Sequence, residues 1–166
     1  MAYCTLFDKY YADKGIVMID SLLSQGRDAM VYVLCMDEKV HTVVSSYYKT
    51  GVYAIDLSIL KEYETRLVNI ERGRSKGELC WTCTAILIKY VLERMQEDIC
   101  TYIDADVFFY SNPTVLYEEM LKANCTVQVI PHNFSLNHYG KYQARMNGQN
   151  CVQFNTFMNE KRAYHY

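Results

Sequence analysis

The sequence has little of several things. Proline occurs twice and glycine seven times in 166 residues, which excludes a collagenous or a linker-rich chain. No apolar run approaches the ~18 residues that a membrane-spanning helix needs, so none is expected. The start, Met1-Ala2-Tyr3-Cys4-Thr5, has no basic segment followed by an apolar one, so no signal peptide is visible. Excess charge is missing too. Seventeen basic residues against 19 acidic ones give a net charge of −2, and no broad basic surface for nucleic acid is indicated. What is present is a globular composition. Hydrophobic residues make up 51 % and charged residues 22 %, the opposite of a disordered chain. The length fits one domain, and a chain of this size folds without a disulfide or metal staple. Cysteines number seven, an odd count. Several sit in apolar runs, as reduced core thiols do, and a reducing cytoplasm is the expected compartment. Tyrosine is over-used, at 16 residues. Its flat face and polar tip suit sugar sites, base sites and wet interfaces alike.

The apolar pattern alternates between strand-like and helix-like periods. Cys4-Thr5-Leu6-Phe7 is a short apolar run ending at Asp8. Asp13 is then placed to cap a helix with Ile16, Ile19, Leu22 and Leu23 on one face and Gly26 as its stop. Ala29 to Met36 is continuously apolar, as a strand buried on both faces requires. Asp37 can cap a second helix through Val40, Val43, Val44 and Tyr47, with Gly51 ending it. Val52 to Ile55 reads as a third strand, and Leu60 to Arg72 as a polar helix or loop. Ser75 and Glu78 have the capping-box spacing. The helix behind them buries Leu79, Cys83, Ile86, Leu87, Tyr90 and Val91. Ile99–Ile103, Thr126–Ile130 and Cys151–Phe154 complete the expected strands, with Asn112 and Pro113 opening a helix between the first two. Strands alternating with helices make an α/β fold with a mainly parallel sheet and flanking helices. In such sheets ligands bind at the carboxyl ends of the strands.

That rule directs attention to Asp8, Asp37, Asp104, Asp106 and the segment after Ile130. Asp104 and Asp106 follow an apolar strand. Residues i and i+2 of an extended chain face one way, and two hard carboxylates facing together suit Mg²⁺ or Mn²⁺ with positions left for phosphate oxygens. The alternative is a strand-end turn with two solvated aspartates. Cys80 and Cys83 have the C-x-x-C spacing of thiol oxidoreductases. With Ser75 as the cap, however, Cys80 falls in the second turn, past most of the dipole that activates such a thiol, and packing is the better reading. The histidines are His41, His132, His138 and His165, without metal-site spacing. Of these, His132 follows the fifth strand at the expected ligand edge. Arg74 and Lys76 flank the capped helix start and either face a diphosphate or are solvated.

With these residues placed, the chain resembles the nucleotide-diphospho-sugar transferases of GT-A type, close to the family 8-like glycosyltransferases. Four segments match in order. Cys4-Thr5-Leu6-Phe7-Asp8-Lys9-Tyr10-Tyr11 looks like the first strand and its base-binding turn. Arg74 to Cys83 looks like the helix behind the diphosphate. Tyr102-Ile103-Asp104-Ala105-Asp106 is similar to the segment carrying the family's metal-binding D-x-D, and Phe154-Asn155-Thr156-Phe157 to a strand near the donor sugar. The resemblance implies a GT-A, Rossmann-like single domain over residues 1–166, C-terminally truncated relative to the family. It implies transfer of a sugar from a UDP-sugar to an acceptor of unknown kind, with Mn²⁺ or Mg²⁺ held by Asp104 and Asp106. Asp8 and Tyr11 would hold the uracil, Asp104 would also reach the ribose or sugar, and Arg74 would lie near the diphosphate. Thr5, Leu6, Trp81 and Ala105 would complete the donor site. Asn155 and His132 are the candidates for a catalytic part. The missing C-terminal part leaves a binding module without catalysis as the alternative, and self-association as an expected way to cover exposed apolar surface.

Overall fold

The computed structural model describes residues 1–26, 28–48 and 50–159; His165 lies outside them. Among the described residues six strands form one sheet, in the order β3-β2-β1-β4-β6-β5. β1 (Ala2–Phe7), β2 (Met30–Cys35), β3 (Val52–Asp56) and β4 (Ile99–Ile103) run parallel. β6 (Asn150–Met158) runs antiparallel to both β4 and β5 (Val127–Pro131), so β5 points the same way as β4. The sheet is thus mainly parallel, as expected, with one reversed strand near its edge. The carboxyl ends of β1, β2, β4 and β5 share one edge of the sheet.

Alternation along the strands divides the core in two. Ala2, Cys4 and Leu6 of β1 join Cys100 and Tyr102 of β4 on one face. That face is covered by α3 (Leu57–Tyr63), α4 (Leu67–Glu71) and the long α5 (Lys76–Arg94). Tyr3 and Phe7 point the other way, against α1 (Ala12–Gln25) and α2 (Glu38–Tyr47), with Ile103 and Phe154 beside them. α6 (Thr114–Lys122) adds Leu116 to this second layer. β1 is buried along its whole length, which is why its sequence is apolar except at Thr5. No helix among the described residues is long and apolar enough to cross a membrane.

Local chemistry fixes the ends of the helices. The Asp37 side chain accepts from the N–H of Val40 at 3.1 Å, as expected of a cap. Its other oxygen accepts from the N–H of Lys9 at 2.8 Å and ties the turn after β1 to α2. Burial works against this carboxylate, yet the N–H groups of Lys9, Val40 and Lys39 hold its pKa below the ordinary value. The Ser75–Glu78 capping box is formed: Ser75 N–H donates to Glu78 Oε2 at 2.8 Å, and Glu78 N–H to Ser75 Oγ at 3.4 Å.

Several expected boundaries move. Asp13 does not cap α1. The helix begins at Ala12 behind Tyr11, with no side-chain cap, and Asp13 sits in its first turn, where the helix dipole favours negative charge. α2 ends at Tyr47, and Gly51, at φ +76°, instead serves the turn into β3. Pro113 rather than Asn112 is the N-cap of α6, while Asn112 Oδ1 accepts from the N–H of Thr114 at 3.0 Å. Leu60 to Arg72 resolves into α3 and α4. β6 has nine residues rather than four, and α7 (His138–Asn147) was not anticipated.

Gly15 lies where α1 crosses β1. A Cβ there would overlap the Phe7 ring. Alanine favours helix over glycine by about 1 kcal/mol, but overpacking a core costs about 1–3 kcal/mol. Gly15→Ala should therefore lower the unfolding midpoint in urea, and a raised midpoint would show that Phe7 can move aside.

Candidate functional site

A cleft of about 400 Å³ opens at the carboxyl ends of β1 and β4, beside the first two turns of α5. Leu6 and Tyr102 belong to its floor because both point to the α5 face of the sheet. Asp8 and Tyr11 enter from the turn after β1, and Asp104, Ala105 and Asp106 from the turn after β4. α5 contributes Lys76, Gly77, Cys80, Trp81 and Thr84.

The Asp104–Asp106 pair is not on extended chain. Val107 N–H donates to the Asp104 carbonyl at 3.3 Å, which bends the segment into a turn. Asp104 N–H donates to the Gln153 carbonyl at 3.0 Å, which anchors that turn to β6. Both carboxylates still line one cleft, with Asp104 half-buried and Asp106 exposed. Burial pushes the Asp104 carboxyl above its usual range, and the Asp106 charge adds to this. The Tyr102 hydroxyl opposes the shift by hydrogen bonding to Asp104. Burial, followed by the Asp104 charge, pushes Tyr102 itself up, so the phenol stays protonated as a donor. Two carboxylates of unequal burial, close enough to feel each other, can share a hard cation from one side. Among the described residues no group of three or more His, Cys, Asp or Glu is placed to enclose a metal.

At the other end, Asp8 Oδ1 accepts from the N–H of Tyr10 at 3.0 Å, and its carbonyl accepts from the N–H of Tyr11 at 3.0 Å. This turn presents Tyr11, whose ring carries the Lys14 ammonium 4.6 Å from its centroid. The remaining site expectations divide. Thr5 points away from the cleft: it alternates with Leu6 and is wholly buried on the opposite face, with no partner for its hydroxyl among the described residues. Arg74 lines a neighbouring hollow of about 500 Å³, with Asp37 and Glu71, and donates to Thr82 Oγ1 at 2.8 Å. It does not line the cleft of Asp104 and Asp106, because it precedes the helix on the β2 side. That hollow shares Asp8, Lys76 and Cys80 with the cleft. His132, stacked on Phe134 with centroids 4.6 Å apart, and Asn155, opposite Tyr102 in β6, share the sheet edge and face respectively, but neither lines the cleft.

The C-x-x-C pair has no activated thiol. Burial, then the Asp8 charge, raises the Cys80 thiol pKa, and burial pushes Cys83 to about 12, the reverse of what a reactive thiolate needs. Tyr102 and Thr84 were missed as cleft residues. The available signal was a tyrosine two positions before Asp104, whose polar tip would otherwise be stranded in an apolar strand.

No protein-family model matches the chain. Among curated proteins it is similar to the uncharacterized protein YfnF of Bacillus subtilis, 28 % identical over 146 residues that cover 87 % of this chain and 47 % of that one. It is also similar to the uncharacterized protein YfnD of the same organism, 25 % identical over 118 residues, covering 70 % and 37 %. The chain therefore spans about half or less of the curated relatives it matches. Among solved structures, the galactosyltransferase LgtC in complex with donor and acceptor sugar analogues superimposes with a TM-score of 0.67 at 16 % identity, over 100 % of this chain and 60 % of that one. Mouse xyloside xylosyltransferase 1 does so with a TM-score of 0.59 at 10 % identity, over 96 % and 68 %. At such identities the likeness is one of fold, and the fold is that of the GT-A glycosyltransferases.

The raised Asp104 pKa sets a pH dependence. Its ionised form is penalised in the folded chain, so this group costs nothing below the ordinary value of 3.8 and costs stability as pH rises through the folded pKa. Without metal, Asp104→Asn should melt above the wild type at neutral pH, and the gain should vanish as pH falls toward 4. Thermal melts in chelator across that range check it; a gain independent of pH would point to packing instead.

Proposed function

We propose that this chain binds a UDP-sugar in the cleft between Asp8–Tyr11 and Asp104–Asp106 and serves sugar transfer to an acceptor. The observation that carries this reading is the convergence of two turns, almost a hundred residues apart in sequence, on one cleft at the edge where α/β folds bind ligands. Asp8 offers a carboxylate to the N–H of a uracil, and Tyr11 offers a ring for it to stack on. Lys76 and the amino end of α5 offer positive charge to a diphosphate. The Tyr102 hydroxyl keeps Asp104 oriented toward the cleft.

The residues present fit a divalent cation. Asp104 and Asp106 are hard oxygen donors on one turn, and two carboxylates are what Mg²⁺ or Mn²⁺ takes when phosphate oxygens complete its shell. Bound there, the cation would neutralise the charge that grows on the leaving diphosphate. A second reading, a binding module without catalysis, is favoured by one observation: neither Asn155 nor His132 lines the cleft. Turnover of UDP-sugar to UDP by the purified chain decides against that module, and binding without turnover decides for it.

Asp106→Asn is the sharpest test. Removing a preorganised electrostatic group of this kind costs about 10²–10³ in rate. Mn²⁺ with UDP should raise the melting temperature of the wild type by mass action and that of Asp106→Asn much less. Equal shifts in the two proteins would remove the carboxylate from the metal site.

A further inference from the structure

Trp81 is the single tryptophan of the chain, and it is 75 % exposed. Tryptophan is highly buried on average because its large ring gains from leaving water. α5 does not use it for packing: Leu79, Cys83, Leu87 and Val91 form the stripe against the sheet. Among the described residues the indole has no stacking or cation partner. It nevertheless lines the cleft.

Helix geometry places it more closely. Each residue of α5 turns the side chain by about 100°. Leu79 faces the hollow beside Asp37, Cys80 is shared by hollow and cleft, and Trp81 comes one step further round. It therefore stands at the end of the cleft away from β2, past Asp8, on the side of β4 and its aspartates. One turn before Trp81, on the same side of α5, is Gly77. A Cβ at Gly77 would meet nothing within 4 Å. Gly77 lines the same cleft and adds no side chain to it, so the wall of the cleft beside the ring stays open.

We propose that Trp81 is the platform on which the pyranose ring of the nucleotide-sugar donor stacks. This inference rests on the nucleotide-sugar reading above. Asp8 and Tyr11 occupy the base end of the cleft, so the far end, beyond Asp104 and Asp106, falls to the sugar. A hexopyranose has one face of C–H groups, weakly positive and apolar, which matches the negative face of an indole. The uracil has its own ring at Tyr11 and does not need a second one.

Because Trp81 is the single tryptophan, the emission of the intact chain reports on this position alone. The experiment titrates wild type, Trp81→Ala and Trp81→Phe with UDP, UDP-glucose, UDP-galactose and UDP-N-acetylglucosamine in Mn²⁺, by calorimetry and, for the wild type, by fluorescence. Circular dichroism confirms that the variants fold, as an exposed position allows. At least one UDP-hexose should shift the wild-type emission to the blue, whereas UDP alone should not. Trp81→Ala should weaken that UDP-hexose about tenfold and UDP little, and Trp81→Phe should recover most of the loss. UDP-hexose binding that is equal in wild type and Trp81→Ala overturns the platform while leaving the nucleotide-sugar reading standing. Equal weakening of UDP and UDP-hexose moves the indole to the base and overturns it as well. No binding of UDP to the wild type overturns both readings.

Discussion

The parallel pairing of β1 with β4 is the constraint on which the site depends. Ala2 lies opposite Cys100 and Cys4 opposite Tyr102, and this register decides which side chains share a face. A slip by one residue would send Leu6 or Tyr102 to the α1 side. In the observed register both belong to the floor of the cleft, and the turns that leave the two strands deliver Asp8 and Asp104 to the same edge. The pairing is long-range and wholly buried, so it is held by the packing of both core layers rather than by any contact of the site residues themselves.

The helices convert that edge into a cleft. α5 crosses the α5-side face from the ligand edge inward, starting at a closed capping box that leaves its first turn ordered but solvent-facing. Its stripe of Leu79, Cys83 and Leu87 is fixed to the sheet, so the remaining directions around its first two turns are fixed too. One direction serves the hollow near Asp37, the next the cleft, and Cys80 divides them. Asp37 stabilises the opposite wall by binding the N–H of Lys9 and of Val40 at once, joining the turn after β1 to the start of α2. The turn that presents Asp8 and Tyr11 is therefore supported from two sides.

Much of this was legible in the sequence where burial is two-sided and continuous. β2 is an unbroken apolar run and β1 is one but for Thr5, and Asp37 and the Ser75–Glu78 box announce their helices. The strand ends announce Asp8, Asp104 and Asp106. Elements with mixed polarity were harder to read. α7 buries only Gly140, so it has no apolar stripe to follow. β6 extends through Asn155 and Thr156, and the Thr156 hydroxyl meets that of Thr101 at 2.9 Å in a buried pair that no periodicity signals. Asp13 looks like a cap in sequence, but the turn built by Asp8 starts α1 at Ala12. Thr5 and Arg74 show the limit of carrying roles over by segment: both stand where the resemblance puts them along the chain, yet strand alternation turns Thr5 away, and the approach to α5 leaves Arg74 in the adjoining hollow. Tyr102 and Thr84 become cleft residues only once the packing face of α5 is known.

The central claim is that the two turns form one nucleotide-sugar site, and a crystal structure of the chain soaked with UDP and Mn²⁺ tests it most directly. We expect the uracil beside Asp8 and Tyr11, and an anomalous manganese signal at Asp104 and Asp106, with the diphosphate between them. A nucleotide seated instead in the hollow of Asp37 and Arg74, or manganese found away from Asp106, would contradict it.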